Sequence, residues 1–164
     1  MEIVRTVSLI LASISFVVVI GGATYEHLAV VPVWSAAVPA SLTMFQGEDA
    51  LAPARFWIPI HPVTLVLQIA ALLLNWRTER RKFIVITIVG YAAVLAITTV
   101  WFVPELMAIT QSAYSPSIDP KLTQRAEDWE TYSLIRLAFL IILAINLIFG
   151  LSKQADTFSR LDPI

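Results

Sequence analysis

The chain has 164 residues, 58% of them hydrophobic, and a mean hydropathy of +0.79. Because soluble domains contain about 45–50% apolar residues, this composition indicates an integral membrane protein. The net charge of -1 gives no reason to expect a nucleic-acid partner. The absence of cysteine excludes thiol catalysis, disulfides, cysteine-bound zinc and iron–sulfur clusters.

Four apolar segments are long enough to cross a bilayer as helices, which takes about 20 residues each. They run over about residues 4–28, 59–76, 83–109 and 129–151. Pro59 and Pro62 fall in the first turn of the second segment, where proline is tolerated. The first segment has a longer apolar core than a signal peptide, so we expect it to be retained. The sequence thus predicts an all-α fold, a single membrane-embedded four-helix bundle over residues 1–164.

The charges between the segments predict their orientation. A short basic link, Arg77–Lys82, joins the second and third segments, and Arg5, Lys153 and Arg160 fall on the same side. The positive-inside rule places this side in the cytoplasm. We therefore expect both termini to be cytoplasmic, both longer loops to be outside, and the protein to reside in a bacterial cytoplasmic membrane.

The first outer loop, about residues 29–58, is unusual because it is long and yet apolar. It carries several prolines and aromatic residues, which a freely solvated loop would not need. We expect it either to pack across the mouth of the bundle or to lie in the interface with its rings at headgroup depth. The second outer loop, about residues 110–128, is more polar and has turn signals at Ser115-Pro116 and Asp119-Pro120.

Polar residues recur at helical spacing in every segment, which predicts that each helix turns one polar face toward the bundle interior. Serine, threonine, asparagine and glutamine on such faces form hydrogen bonds between helices, worth about 0.6 kcal/mol on average. We therefore expect a structural role for six of them: Thr64, Gln68, Asn75, Thr87, Thr98 and Asn146.

The ionisable residues differ, because a charge at the centre of a membrane helix costs about 2.5–3.5 kcal/mol. Glu26, His61 and Glu105 fall at the outer ends of their segments, and Arg136 lies about two turns inside the start of the fourth. Arg136 needs a counter-charge, which we expect Glu26 or Glu105 to supply. A purely structural ion pair, with the carboxylates otherwise solvated among the headgroups, is the alternative.

Two histidines and two carboxylates are candidate metal ligands: His27, His61, Glu26 and Glu105. Imidazole together with carboxylate suits iron, copper, zinc or manganese, so a transition metal is a candidate cofactor. The Glu-x-x-His pair of di-iron bundles is missing, so the ligands would have to come from separate helices. A haem between His27 and His61 would require the two rings to face each other across the bundle mouth.

Three short stretches carry a further signal: Gly22–His27 followed by Pro32, Thr98–Leu106, and Trp129–Arg136. They resemble the first span, the end of the third span and the start of the fourth span of the anthrone-oxygenase-like family of membrane proteins. The chain departs from that family where Glu105 or Ser133 stands in place of a frequent asparagine. The resemblance implies a four-helix membrane bundle and, in some members, oxidation of polycyclic phenolic anthrones to quinones.

We therefore expect a membrane oxidoreductase or oxygenase that acts on a small lipophilic aromatic or quinone-like molecule. In this hypothesis Glu26 or Glu105 is the base, and Arg136 with Tyr132 stabilises the resulting oxyanion. Aromatic residues are expected to line the ligand pocket: Tyr25, Trp57, Trp101 and Trp129. The alternatives are a non-catalytic ligand-binding or assembly subunit, and a small-solute transporter with a water path along the polar faces. The lipid bilayer is the expected partner, and homo-oligomerisation is left open.

Overall fold

The chain is mainly helical in a computed structural model that describes residues 1–154. Four helical segments in these residues are long and apolar enough to cross a membrane: span one Glu2–Ser35, span two Ala54–Leu74, span three Arg81–Thr110 and span four Pro120–Leu151. No β-strand occurs in residues 1–154, so the predicted all-α fold with four spans is confirmed there. Arg160, which the orientation argument used, lies outside the described residues.

Two of the spans change helix type along their length. The elements in chain order are α1 (Glu2–Tyr25), a π-helical turn (Glu26–Val30), α2 (Val31–Ser35), a 3-10 turn (Ala40–Phe45), α3 (Ala54–Leu74), α4 (Arg81–Ile97), a second π-helical turn (Thr98–Phe102), α5 (Val103–Thr110) and α6 (Pro120–Leu151). Spans one and three are therefore each interrupted by one widened turn, whereas spans two and four are regular α-helices.

Spans two and four begin earlier than predicted. Span two starts at Ala54, so Pro59 and Pro62 lie inside the helix rather than in its first turn. Span four starts at Pro120, because the Asp119 carboxylate caps the helix by accepting bonds from the backbone amides of Lys121 (2.9 Å) and Leu122 (3.2 Å). Aspartate is a preferred N-cap residue and proline a preferred first residue of a helix. The predicted turn at Asp119-Pro120 is thus a helix start.

The four spans form a closed bundle in the order two–one–four–three, and span three contacts span two again. We call the end that carries the Arg77–Lys82 link the inner end, and the opposite end the outer end. The inner half is filled by residues spaced three and four apart, which share one helical face. This inner cluster includes Leu9, Ala12, Phe16, Ala71, Ile84 and Leu147, all fully buried.

The apolar segment predicted as the first outer loop begins with the last turns of span one, which extends to Ser35 instead of ending near residue 28. It packs against the outer ends of spans three and four, which agrees with the first of the two expectations. Trp34, Val38 and Leu42 are buried in an outer cluster together with Ile109 and Trp129. The loop is also tied to span four through its backbone, because the amide of Asp119 donates to the carbonyl of Val38 at 2.9 Å.

Polar side chains on the inward faces of the helices form hydrogen bonds to neighbouring helices. The hydroxyls of Ser15 and Thr64 lie 2.7 Å apart and join spans one and two. The Asn146 amide donates to the carbonyl of Phe83 (2.8 Å) and to the Thr87 hydroxyl (3.0 Å), which joins spans three and four. These contacts confirm the structural role predicted for Thr64, Thr87 and Asn146.

Two further buried amide side chains belong to span two and to the residue that follows its end. Asn75 is fully buried and donates to the carbonyl of Arg5 at 3.2 Å, as its predicted structural role requires. Gln68 is also fully buried, and neither of its amide atoms has a hydrogen-bond partner among the described residues. The inner half therefore contains polar groups but is closely packed.

The orientation of the bundle stays a prediction, and it can be tested with matched cysteine variants because the chain contains no cysteine. Glu48 is exposed in the outer loop and Glu79 is exposed in the inner link. We expect a membrane-impermeant maleimide added to intact cells to label the Glu48→Cys variant and not the Glu79→Cys variant. In permeabilised cells the reagent should label both variants. The reverse pattern would contradict cytoplasmic termini.

Candidate functional site

A cavity of about 370 Å³ lies in the outer half of the bundle, between the inner and outer clusters. This volume falls within the range of about 300–1,000 Å³ that is usual for small-molecule sites. All four spans contribute to its walls, which are mostly aliphatic and aromatic. A small set of polar side chains also faces it: Glu26, His61, Tyr91, Thr98, Ser133 and Arg136.

The cavity opens sideways between spans two and three. Its lining residues on these two spans include Ile58, Thr99 and Val103, whose side chains are exposed. Spans two and three are joined by the short link at the inner end, and these three residues lie toward the outer ends of the two spans. The exposed side chains at this opening are two aliphatic residues and one threonine.

The two π-helical turns place polar residues at the cavity. A proline inside a helix lacks an N–H group, and its ring clashes with the carbonyl four residues earlier. Pro32 and Pro104 each follow a turn in which the hydrogen bond reaches back five residues instead, from Val31 to Glu26 and from Val103 to Thr98. Such turns are frequent at functional sites. Glu26 and Thr98, the first residues of the two widened turns, both line the cavity.

Arg136 carries the positive charge of the site. Its guanidinium donates to the hydroxyls of Thr98 (3.1 Å) and Ser133 (2.8 Å), and it lies 4.1 Å from the ring centre of Phe102. None of the described carboxylates lies within salt-bridge distance of Arg136. A guanidinium has five N–H donors, so donors remain for an oxygen atom inside the cavity.

Glu26 faces the same cavity and is the acidic residue on its wall. One of its carboxylate oxygens accepts a hydrogen bond of 2.7 Å from the indole nitrogen of Trp57. Glu26 and Arg136 both line the cavity, but their charged groups do not lie within salt-bridge distance. The predicted direct pairing of Arg136 with Glu26 is therefore not formed.

His61 and Tyr91 form a second polar pair on the cavity wall. The His61 ring nitrogen Nδ1 and the Tyr91 hydroxyl lie 2.7 Å apart, and the His61 ring stacks on Trp57 at 5.4 Å between ring centres. Because Trp57 also binds Glu26, this indole connects the imidazole to the carboxylate. His61, Trp57 and Glu26 therefore form one continuous patch of the wall.

His27 is buried behind the cavity wall rather than on it. Its Nε2 atom lies 3.0 Å from the Ser133 hydroxyl, which also accepts the bond from Arg136. Its other ring nitrogen, Nδ1, has no hydrogen-bond partner among the described residues. His27 reaches the site only through Ser133, so we assign it a supporting position.

Several predicted site residues do not line the cavity. Glu105 forms a two-pronged ion pair with Arg125, at 2.8 and 2.9 Å, on the outer surface, so the predicted pairing of Glu105 with Arg136 is not formed. Tyr25, Trp101 and Tyr132 have exposed side chains that face away from the cavity. Of the predicted pocket aromatics, Trp57 and Trp129 do line it. Tyr25 and Tyr132 each precede a residue that lines the cavity, Glu26 and Ser133, and one residue turns a helix by about 100°, so their rings point to another face. Trp101 lies within the second π-helical turn, where the spacing is irregular.

The four predicted metal ligands are not brought together. His27 binds Ser133, His61 binds Tyr91, and each carboxylate is held by a different neighbour. Within residues 1–154 no group of three histidine, aspartate or glutamate side chains is placed to hold a metal ion. The donor set therefore does not fit the predicted transition-metal centre, and we derive no step through a metal. The facing histidine pair that a haem would need is not formed either.

Comparison of the chain with family models, with curated proteins and with solved structures finds no match. The site is therefore interpreted from its own geometry.

Three residues of the site were not predicted as site residues. Thr98 was assigned a structural role, and yet it binds Arg136 and lines the cavity. Ser133 and Tyr91 also line the cavity, although no role was predicted for either. A usable signal was present, because Thr98 precedes Pro104 by six residues, the same spacing as between Glu26 and Pro32.

The outer wall of the cavity can be tested with a matched pair of tryptophan variants. The Trp129 indole is buried and donates to the carbonyl of Phe102 at 2.9 Å, whereas Trp101 is exposed. We expect Trp129→Phe to lower the free energy of unfolding by about 1 kcal/mol, because a buried hydrogen bond is lost. Trp101→Phe should leave it nearly unchanged. Equal effects, measured by unfolding in mixed detergent micelles, would contradict this placement of Trp129.

Proposed function

We propose that the protein is a membrane-embedded oxidoreductase of the oxygenase type, acting on a small lipophilic aromatic or quinone-like molecule in the outer-half cavity. The proposal rests on the groups that surround the Arg136 guanidinium: two hydroxyls and one aromatic ring. A cation held by neutral hydroxyls and an aromatic face, beside an apolar cavity, is suited to receive an oxygen atom with negative charge from a ligand.

The shape and the opening of the cavity favour a ligand that is dissolved in the membrane. Aromatic side chains on its wall, Trp57, Phe102 and Trp129, offer flat surfaces for a ring system. The exposed rim between spans two and three consists of apolar side chains and one threonine, so a lipophilic molecule would enter without crossing water. A quinone, a phenol or the enol form of an aromatic ketone combines such a ring system with an oxygen for Arg136.

The chemistry we propose begins with proton abstraction by the Glu26 carboxylate from a ring CH₂ group that is conjugated with the carbonyl of an aromatic ketone through the fused aromatic rings, as in anthrone. The electrons move onto the carbonyl oxygen, and Arg136 stabilises the resulting phenolate-type anion. Dioxygen then oxidises this anion, so that the CH₂ group and one O₂ become a carbonyl group and one water molecule. The abstracted proton returns to that water. Tyr132 and Glu105 have no part in this scheme, since neither faces the cavity.

Binding without turnover is the second candidate, because the Glu26 and His61 side chains are already hydrogen-bonded to Trp57 and Tyr91. Groups held in this way can shape a pocket without doing chemistry. The transporter alternative receives less support, because Gln68 and Asn75 are fully buried among closely packed residues of the inner half. A water path along those residues would require the inner cluster to separate.

Binding is tested with anthrone as the probe, added to protein in lipid nanodiscs and followed by quenching of tryptophan fluorescence. We expect Arg136→Gln to weaken binding at least tenfold, because a hydrogen bond to a charged group contributes about 1.5–3 kcal/mol. The matched control is Arg125→Gln, which removes an arginine that pairs with Glu105 away from the cavity. Equal affinity of the two variants would contradict the role of Arg136.

Turnover is tested on the same nanodiscs by oxygen consumption and by the absorbance of the quinone product. We expect Glu26→Gln to lower the rate by at least a hundredfold, as the loss of a general base usually does. Glu105→Gln should retain the wild-type rate, since Glu105 lies outside the cavity. Anthrone binding that depends on Arg136 without oxygen consumption would reject the oxygenase and favour the binding protein.

A further inference from the structure

A second concave site lies at the inner end, on the surface between the start of span one and the end of span two. It is a shallow cleft of about 450 Å³, lined by Arg5, Leu73, Leu74, Trp76 and Arg77. Two guanidinium-bearing residues thus share a cleft with three large apolar side chains, all three of them exposed. Such a surface can contact a charged lipid headgroup and an acyl chain at the same time.

The two ends of the bundle differ strongly in charge. Among the described residues, the inner end carries six basic residues, Arg5, Arg77, Arg80, Arg81, Lys82 and Lys153, against the two acidic residues Glu2 and Glu79. The outer loops and the outer ends of the spans are rich in acidic residues instead. An anionic partner is therefore attracted to the inner end and repelled from the outer end.

The basic residues around the cleft make different contacts. The buried Arg80 binds the carbonyl of Lys153 at 2.9 Å and the Thr6 hydroxyl at 2.9 Å, so it fastens the helix ends together. The Arg81 guanidinium lies 4.0 Å from the ring centre of Trp76 and supports that ring. Arg5 and Arg77 are the basic residues that line the cleft itself.

The cleft is also held in place by the fold. The buried Asn75 donates to the backbone carbonyl of Arg5 and bonds the carbonyl of Ala71 within its own helix. This fixes the backbone that carries Arg5 against the end of span two, which carries Leu73 and Leu74. The backbone position of Arg5 relative to the end of span two is thus set by the packing of the two helices.

We propose that this cleft binds one anionic phospholipid, with its phosphate between Arg5 and Arg77 and an acyl chain along Leu73, Leu74 and Trp76. Arginine suits a phosphate because its planar guanidinium matches two phosphate oxygens at once. Apolar side chains below the headgroup give the acyl chain a surface at the depth where a lipid in the inner leaflet would lie. Trp76 is an amphipathic ring of the kind that is enriched at this depth.

The proposal is tested by native mass spectrometry of the full chain released from nanodiscs that contain phosphatidylglycerol or phosphatidylcholine. We expect one phosphatidylglycerol per chain to remain bound and phosphatidylcholine to be lost. Arg5→Gln and Arg77→Gln should each weaken retention about fivefold, which corresponds to about 1 kcal/mol for each basic residue near an anionic surface. The double variant should lose the bound lipid.

The matched control is Lys82→Gln, which removes one charge from the same end but lies outside the cleft. Retention in Lys82→Gln at the wild-type level supports a site rather than a diffuse attraction. Equal loss in Lys82→Gln and Arg77→Gln, or equal retention of the two lipids, would overturn the proposal. Displacement of the lipid by millimolar inorganic phosphate would overturn it as well, since it would mean that the apolar wall contributes nothing. The single variants keep the test decisive if the double variant does not fold.

Discussion

The constraint on which the outer half of the structure depends is the charge of Arg136 inside a bundle that is surrounded by hydrocarbon. A cation at membrane depth is costly unless other groups take the place of water around it. Here the hydroxyls of Thr98 and Ser133 and the ring of Phe102 do so. Spans three and four meet at this level through these contacts, and the guanidinium faces the cavity beside them. The outer half thus contains a cavity, whereas the inner half is filled by buried side chains.

The two widened turns explain how apolar helices present polar groups at one level. Each turn precedes a proline, and each begins with a residue that faces the cavity. Because a helix advances 100° per residue, the extra residue of a π-helical turn shifts every later side chain to a different face. Glu105, which lies beyond the second turn, thus meets Arg125 on the outer surface instead of Arg136. The same irregularity therefore forms the site and removes one expected member from it.

The fold was largely predictable from the sequence, because four long apolar segments leave few alternatives to a helical bundle. The polar faces of the regular segments were also predictable, as the bonds of Thr64 and Asn146 demonstrate. The predictions were wrong where local geometry departs from 3.6 residues per turn or where a cap extends a helix. Asp119 starts span four well before the apolar stretch begins. The exposed Tyr132 was wrongly placed in the site because it lies about 100° of helix rotation from Ser133, which does line the cavity. The contacts of His27 and His61 were not predicted, because the spacing of residues within one helix does not determine which neighbouring helix a side chain contacts.

The central claim is that the cavity admits a membrane-dissolved aromatic molecule between spans two and three and binds its oxygen at Arg136. Photoaffinity labelling tests this most directly, with a lipophilic phenol that carries a diazirine and is incorporated into nanodiscs with the protein. The account predicts that the labelled peptides come from the outer halves of spans two and three, around Ile58 and Val103. It also predicts that this labelling is lost in Arg136→Gln but kept in Arg125→Gln. Labelling spread evenly over the lipid-facing surface, and unchanged in Arg136→Gln, would contradict it.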